Sequence, residues 1–309
     1  MLLLTLKGVS KAFGDFKAVS SIDMALYEGE TVGLLGPNGA GKSTSISMIS
    51  TLFKPTEGTI LYRGEDISIN PRIIQTELGY VPQEIALYEQ LTGYENLHYF
   101  GRLYGLKGDR LKRQIDTISK VIGIDERLKD KVKTYSGGMK RRINIGVALM
   151  HDPKFIIMDE PTVGIDPQSR NHILETVKKL NELGITVLYT SHYMEEVSQL
   201  CNRIYIMDHG KVIAEGTQEA LIQQAEIKEV IHIVFELGKR PSAEAFKNFV
   251  EIETFDFEDG EGVYLTSPLP ANKLIGTLVG TFGDIVSFDV KTPDLEQVFL
   301  KLTGRGLRD

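Results

Sequence analysis

Short, almost wholly apolar runs alternate with stretches of helical spacing through the first two thirds of the chain. "ETVGLLG" (30–36) is an apolar run closed by a glycine, and a helix is predicted behind it from about Lys42 to Leu52. "KFIIMDE" (154–160) and "GITVLYTS" (184–191) are further runs of the same kind. Between them, "PQSRNHILETVKKLNELG" carries helical spacing that Gly184 should end. The opening "MLLLTLKGVS" reads as a first strand, because it lacks the basic front and small-residue cleavage site of a signal peptide. Apolar strands separated by helices predict an α/β fold with a mostly parallel sheet covered on both faces. Residues 91–150 break this rhythm with three helical patterns in a row: "GYENLHYFGRLYGL", "DRLKRQIDTISKVIG" and "GGMKRRINIGVALMH". They predict an inserted helical subdomain.

After Thr217 the texture changes. "EVIHIVFEL" (229–237) reads as a strand, "PSAEAFKNFV" (241–250) as a helix, and "IETFDF" and "GVYLTS" as a hairpin around "EDGE". "PANKLIGTLVGTF" (270–282) reads as a helix and "DIVSFDVK" (284–291) as a strand. The order βαββαβ is that of a small ferredoxin-like α+β domain, closed by a last helix in "PDLEQVFLKLTG". Charge shifts at the same place. Residues 1–219 hold 26 basic and 27 acidic side chains, and residues 220–309 hold 9 and 15. A domain of residues 1–219 and an accessory domain of residues 220–309 are therefore expected.

Composition narrows the class. Hydrophobic residues make up 42% and charged residues 25% of the 309, an ordinary globular balance. No apolar run approaches the roughly eighteen residues that a membrane-spanning helix needs. A cytoplasmic chain is expected, and any membrane link would pass through a partner. The single cysteine, Cys201, excludes an internal disulfide, and no Cys/His cluster suggests zinc. A net charge of −7 offers no electrostatic footprint for nucleic acid.

Three stretches carry chemistry. "GPNGAGKST" (36–44) fits the phosphate-binding loop pattern and sits between a predicted strand and a predicted helix. Gly36, Gly39 and Gly41 free the backbone to approach oxygen atoms. Their N–H groups, with those of Ala40 and the helix start, make a nest for the β-phosphate. Lys42 reaches the β- and γ-phosphates, Ser43 offers a hydroxyl to Mg2+, Thr44 closes the nucleotide-binding loop, and Asn38 faces the γ-phosphate. "FIIMDE" puts Asp159 and Glu160 at the carboxyl edge of a strand, where open α/β sheets bind ligands. Asp159 suits Mg2+ held through a water, and Glu160 suits activation of an attacking water. In "TYSGGMKRRI" (134–143), Ser136, Gly137 and Gly138 present bare N–H groups at a second helix N-terminus. His192 follows a strand at the same sheet edge and on its own reads as an ordinary loop residue.

Across about residues 2–219 these motifs, in this order, resemble the ATP-binding subunit of ATP-binding cassette (ABC) transporters. The resemblance implies a P-loop NTPase core, ATP and Mg2+ as ligands, and a role for each motif. Gln83 in "YVPQE" is similar to the glutamine that senses Mg2+ and the attacking water. "YSGGM" resembles the signature motif, with Tyr135 and Met139 where leucine and glutamine are commoner. Asp166 in "VGIDP" matches the D-loop, and His192 the switch histidine. Phe13 matches the aromatic that stacks on adenine, although the residue alone reads as a core aromatic. In this family two subunits face head to tail, and the P-loop of one and the signature turn of the other close on one ATP. The partners implied are a second copy or a homologous ATPase subunit, and integral membrane permeases that hold the chain at the inner face of the membrane.

"YSGGM" followed by basic residues, with the tail motif "PDLEQVFLKLTGR", is similar to a drug- and antibiotic-export sublineage. "ALYEQLTGYENLHYFGRLYGL" (86–106) resembles the permease contact region. Its Tyr88, Tyr94, Tyr99, Phe100 and Tyr104 are either exposed for that contact or core of the subdomain. Lys140-Arg141-Arg142 reads as a solvated helix face or a lipid site. Two other functions remain open at this level: a soluble ABC-type ATPase acting on ribosomes or DNA, and a non-catalytic ATP-dependent regulatory module.

Overall fold

The computed structural model describes residues 1–191, 193–258 and 260–304. The described chain divides into two compact units, residues 1–218 with residues 303–304, and residues 219–302.

In the first unit, β1 (Leu2–Phe13) and β2 (Phe16–Tyr27) pair antiparallel and bury Leu4, Leu6, Val9, Val19, Ile22 and Leu26. β3 (Thr31–Leu35) is buried at every position and leads into α1 (Lys42–Ile49). β4 (Glu57–Tyr62) and β5 (Glu65–Asp66) complete an antiparallel sheet of order β2-β1-β4-β5. Of this sheet the sequence pattern announces only the first strand. The paired serines in "FKAVSSIDMALY" blur the alternation of β2.

There follow α2 (Arg72–Gln75), β6 (Leu78–Val81), α3 (Gly93–Leu103), α4 (Gly108–Val121) and α5 (Gly137–Leu149). The last three form the helical subdomain, packed through Leu97, Leu111, Ile115 and Ile143. A capping box of Thr92 and Glu95 starts α3. Tyr88, Tyr94, Tyr99 and Tyr104 are all exposed, so the reading of these aromatics as subdomain core fails for those four. Tyr88 and Tyr99 meet edge to face at 5.0 Å on that surface. Planar rings packed on one another can leave much of their area to solvent, which spacing alone does not reveal.

β7 (Phe155–Asp159), α6 (Pro167–Glu182), β8 (Thr186–Thr190), α7 (Met194–Leu200), β9 (Arg203–Asp208) and β10 (Lys211–Gly216) finish the unit. The second sheet has the order β10-β9-β3-β8-β7-β6 and is parallel except for β10. Thr190 stands opposite Leu34 on one side and Asp159 on the other. That register brings the ends of β3, β7 and β8 to one carboxyl edge, where ligands bind in such sheets.

The second unit, entered through α8 (Gln218–Gln224), contains β11 (Val230–Phe235), α9 (Ala243–Lys247), β12 (Thr254–Phe257), β13 (Gly262–Thr266), α10 (Ala271–Phe282), β14 (Ile285–Lys291) and α11 (Leu295–Thr303). Its antiparallel sheet has the order β12-β13-β11-β14, the ferredoxin-like arrangement. Alternation along β11 sends Ile231, Ile233 and Phe235 into a core with Phe246, Val263, Leu265, Leu274 and Leu278. Among the described residues no helix is long and apolar enough to cross a membrane.

Candidate nucleotide site

The loop between β3 and α1 is shaped by close approaches that leave no room for side chains. Gly41, the residue before α1, has φ +101°, and a Cβ there would lie 2.8 Å from the carbonyl oxygen of Ala18. No side chain caps α1 and no acidic residue lies in its first turn. Its N–H groups are left for an external acceptor, and the helix dipole favours an anion there. Lys42 is 5% exposed and donates from Nζ to Gly36 O at 2.6 Å and Pro37 O at 3.2 Å. Burial lowers its pKa, and Glu160 and Asp159 oppose that shift. Asn38, Gly39 and Ser43 are exposed, Thr44 is half-buried and Ala40 is buried. A cleft of about 340 Å³ is lined by residues 37–44 together with Phe16, Ala18, Gln83, Glu160 and Val163.

Two carboxylates stand at the end of β7. Asp159 Oδ1 accepts from Thr190 Oγ1 at 2.8 Å, and the same hydroxyl accepts from Glu160 N at 2.9 Å. Glu160 sits at φ +47°, in the left-handed region that costs a non-glycine residue about 1–2 kcal/mol. Its Oε2 accepts from Gln83 Nε2 at 3.0 Å. The fold therefore gathers Gln83, Glu160 and the P-loop around one cleft. His192 lies outside the described residues.

The signature stretch sits elsewhere. Ser136 caps α5, its Oγ accepting from Met139 N at 3.3 Å. Tyr135 is buried and donates to Arg127 O at 2.6 Å, a use that leucine could not serve. Gly138 is buried against α6, where a Cβ would lie 2.1 Å from Ser169 Oγ. Asp166 caps α6 through Ser169 N at 2.9 Å, so the D-loop aspartate and the signature turn meet at one serine. Backbone hydrogen bonding at that cap lowers the pKa of Asp166.

Two sequence expectations change here, and one residue is added. Phe13 is not buried core. It is exposed, edge-on to Phe53 at 5.7 Å, and Phe16 rather than Phe13 lines the P-loop cleft. Lys140-Arg141-Arg142 is not a uniformly solvated face, because Arg141 is buried while Lys140 and Arg142 are half-buried, and each has a protein partner. Lys140 pairs with Glu89, Arg141 donates to Pro82 O and Gln83 O, and Arg142 donates to Gly123 O. Glu196 was not singled out by its sequence context, yet it is 2% exposed. Its Oε2 accepts from Thr162 Oγ1, Tyr189 OH and Ser191 Oγ at 2.7–2.9 Å. It ties the loops after β7 and β8 together. A carboxylate placed four residues before Leu200, on the apolar face of α7, was the available signal.

A phosphate-binding loop, a carboxylate pair at the strand edge and a parallel sheet define an ATP-binding, ATP-hydrolysing P-loop NTPase. The ABC transporter family model matches residues 19–163. Over 311 aligned positions the chain is 46% identical to the linearmycin resistance ATP-binding protein LnrL of Bacillus subtilis, covering 99% of this chain and 100% of that one. It is 34% identical to the daunorubicin/doxorubicin resistance ATP-binding protein DrrA of Streptomyces peucetius, over 98% of this chain and 92% of that one. Among solved structures, the ATP-binding subunit of an ABC transporter aligns with TM-score 0.65 and 30% identity, covering 72% of this chain and 92% of that one. A dimeric ATP-binding cassette in a post-hydrolysis state bound to ADP and Pi aligns with TM-score 0.63 and 28% identity, over 70% and 98%. The chain belongs to the ABC transporter family and is an ATP-hydrolysing subunit of that family. Both of these full-length relatives are named as resistance ATP-binding proteins, not for work on ribosomes or DNA.

Proposed function

We propose that two copies of this chain, or this chain and a homologous ATPase subunit, close head to tail on shared ATP and drive export of an antibiotic or drug. The P-loop of one copy faces Ser136, Gly137 and Gly138 of the other. One observation carries the reading. The cleft around the P-loop holds Gln83 and Glu160, but residues 135–139 are not among its described lining, although both helix starts suit a phosphate. Relatives named for linearmycin resistance, daunorubicin/doxorubicin resistance and Nod factor export support the direction and the cargo class. Permease subunits hold the chain at the inner face of the membrane, and the exposed tyrosines of residues 86–106 form part of that contact.

Glu160 takes the proton of the water that attacks the γ-phosphorus, and ADP leaves with the bridging oxygen. Gln83 holds that carboxylate and the water in line. Lys42 and the loop N–H groups carry the developing phosphate charge, and Asp166 supports the signature turn. An aromatic ring, Phe13 or its neighbour Phe16, stacks on adenine, and His192 contacts the γ-phosphate. The residues present fit Mg2+. Ser43, Asp159 and Gln83 offer oxygen, and no group of three or more His, Cys, Asp or Glu among the described residues forms a metal cage of its own. Mg2+ takes few protein ligands and completes its shell with phosphates and water. When bound it neutralises charge between the β- and γ-phosphates.

Glu160→Gln keeps the shape and removes the base. In saturating MgATP it should run as a dimer in size-exclusion light scattering while the parent turns over and stays monomeric. A Glu160→Gln protein that hydrolyses ATP at the parental rate would remove Glu160 from this role.

A further inference from the structure

The loop after β6, which carries Gln83, is fastened to the signature helix rather than to the sheet. Arg141 Nη1 donates to Pro82 O at 2.6 Å and Nη2 to Gln83 O at 2.5 Å. One turn further along α5, Asn144 Oδ1 accepts from Ala86 N at 3.2 Å. Arg141 and Asn144 are each 3% exposed and share one face of the helix. Later positions of the same segment also go to the helical subdomain, with Glu89 on Lys140 and Tyr88 on Asn96. Contact with the carboxyl edge runs through the Gln83 side chain, which donates to Glu160. Thus one short helix begins at the signature turn and, about 7.5 Å further along its axis at 1.5 Å per residue, grips the loop that steers the catalytic carboxylate.

We propose that Arg141 is a positioning residue. By tying the Gln83 loop to α5, it lets engagement of the Ser136–Gly138 turn set the contact between Gln83 and Glu160. The proposal rests on the head-to-tail reading above and adds to it a route between the two halves of each copy. The nucleotide that a copy touches through its signature turn belongs to the partner, while the carboxylate that responds is its own. A guanidinium suits the joint because its planar fork gives each of two adjacent carbonyl oxygens its own nitrogen in one fixed geometry. Burying that charge is costly, and a structural tie alone would not require a cation. Arg141 Nε and Asn144 Nδ2 are buried without a hydrogen-bond partner in the protein. Two spare donors at one joint allow the loop to exchange grips as α5 shifts, without stranding an acceptor.

The test uses the full chain and MgATP. Arg141→Met, Arg141→Lys, Gln83→Ala and the double variant Gln83→Ala/Arg141→Met are compared in steady-state ATPase assays, with ATP binding followed separately. Arg141→Met and Arg141→Lys should each lower kcat about tenfold or more and leave KM for ATP within about twofold, the pattern of an interaction lost at the transition state. The double variant should lose no more than Gln83→Ala alone, because both act through one contact. If Arg141→Met fails to fold, the same comparison is made with Arg141→Lys, which keeps the stem and the charge. Additive losses, or parental kcat in either folded variant, overturn the proposal. The two readings separate in the Glu160→Gln background. A protein that stays monomeric in saturating ATP brings down the shared site, and with it the engagement step. A protein that dimerises while the Gln83 and Arg141 losses add brings down the Arg141 proposal alone.

Discussion

Helices α1 and α5 both begin where a phosphate can sit, and they begin differently. α1 starts from Gly41 in a left-handed conformation with no side-chain cap, and Lys42 lies folded back over the loop carbonyls. No side chain caps the N–H groups of its first residues, so that end is organised around a ligand in advance. α5 starts from Ser136, whose hydroxyl already satisfies one backbone donor, and from Gly138 wedged against Ser169. That end is complete without a ligand and lends its remaining donors when another surface arrives. One terminus is built to capture a nucleotide, and the other is built to recognise one already captured.

The strongest way to break this contrast is Lys42→Ala. It removes the charge that answers the phosphates, an interaction of roughly 3 kcal/mol at a buried site, so nucleotide affinity should drop about a hundredfold. Titration with a fluorescent ATP analogue reads it. Near-parental affinity would mean that the first terminus is not the capturing one.

Gly138→Ala attacks the other side. The added methyl must displace Ser169, at a cost of about 1–3 kcal/mol of stability. ATP binding by the single copy should survive, while dimer formation in the Glu160→Gln background should fall about tenfold. Adding Ser169→Gly relieves the clash. Recovery of thermal stability without recovery of dimerisation would show that Gly138 serves the approach of phosphate as well as packing.

Ser136→Ala is milder. Loss of the cap should cost about 1 kcal/mol of stability, read as a lowered denaturant midpoint, with a several-fold loss of turnover and little change in ATP affinity. Equal losses of affinity and turnover would blur the two roles.

The smallest effect lies just beyond the far end of α5. His151 stacks on Tyr104 at 4.1 Å and its Nε2 contacts Leu78 O at 3.0 Å. Burial lowers its pKa below the ordinary 6.5. The neutral form is favoured in the folded protein, so this contribution is fully present above pH 6.5 and is lost as pH falls through the lowered value. His151→Gln should flatten that part of a stability-against-pH curve. An unchanged slope would assign it to other groups.

Local patterns were legible and distant partnerships were not. "GPNGAGKST" and "FIIMDE" state their positions because loop, strand and helix follow one another in sequence. The βαββαβ order of the tail was readable for the same reason, since alternation along β11 is clean. For Arg141 a run of cations gives no sign of the carbonyls it meets, which lie 58 and 59 residues earlier. Glu196 was overlooked because its three hydroxyl donors come from two other loops and a strand. Most of the first antiparallel sheet escaped notice because its strands pair across the inserted P-loop segment, with β1 taking β4 as a neighbour.

Glu160 is held at φ +47°, an arrangement that a glycine would occupy without penalty. A glycine at this position, which ends turnover, can therefore make the protein harder to melt. A search for robust variants scored by heat tolerance alone would drift toward dead machines, and selection for work has to oppose that drift.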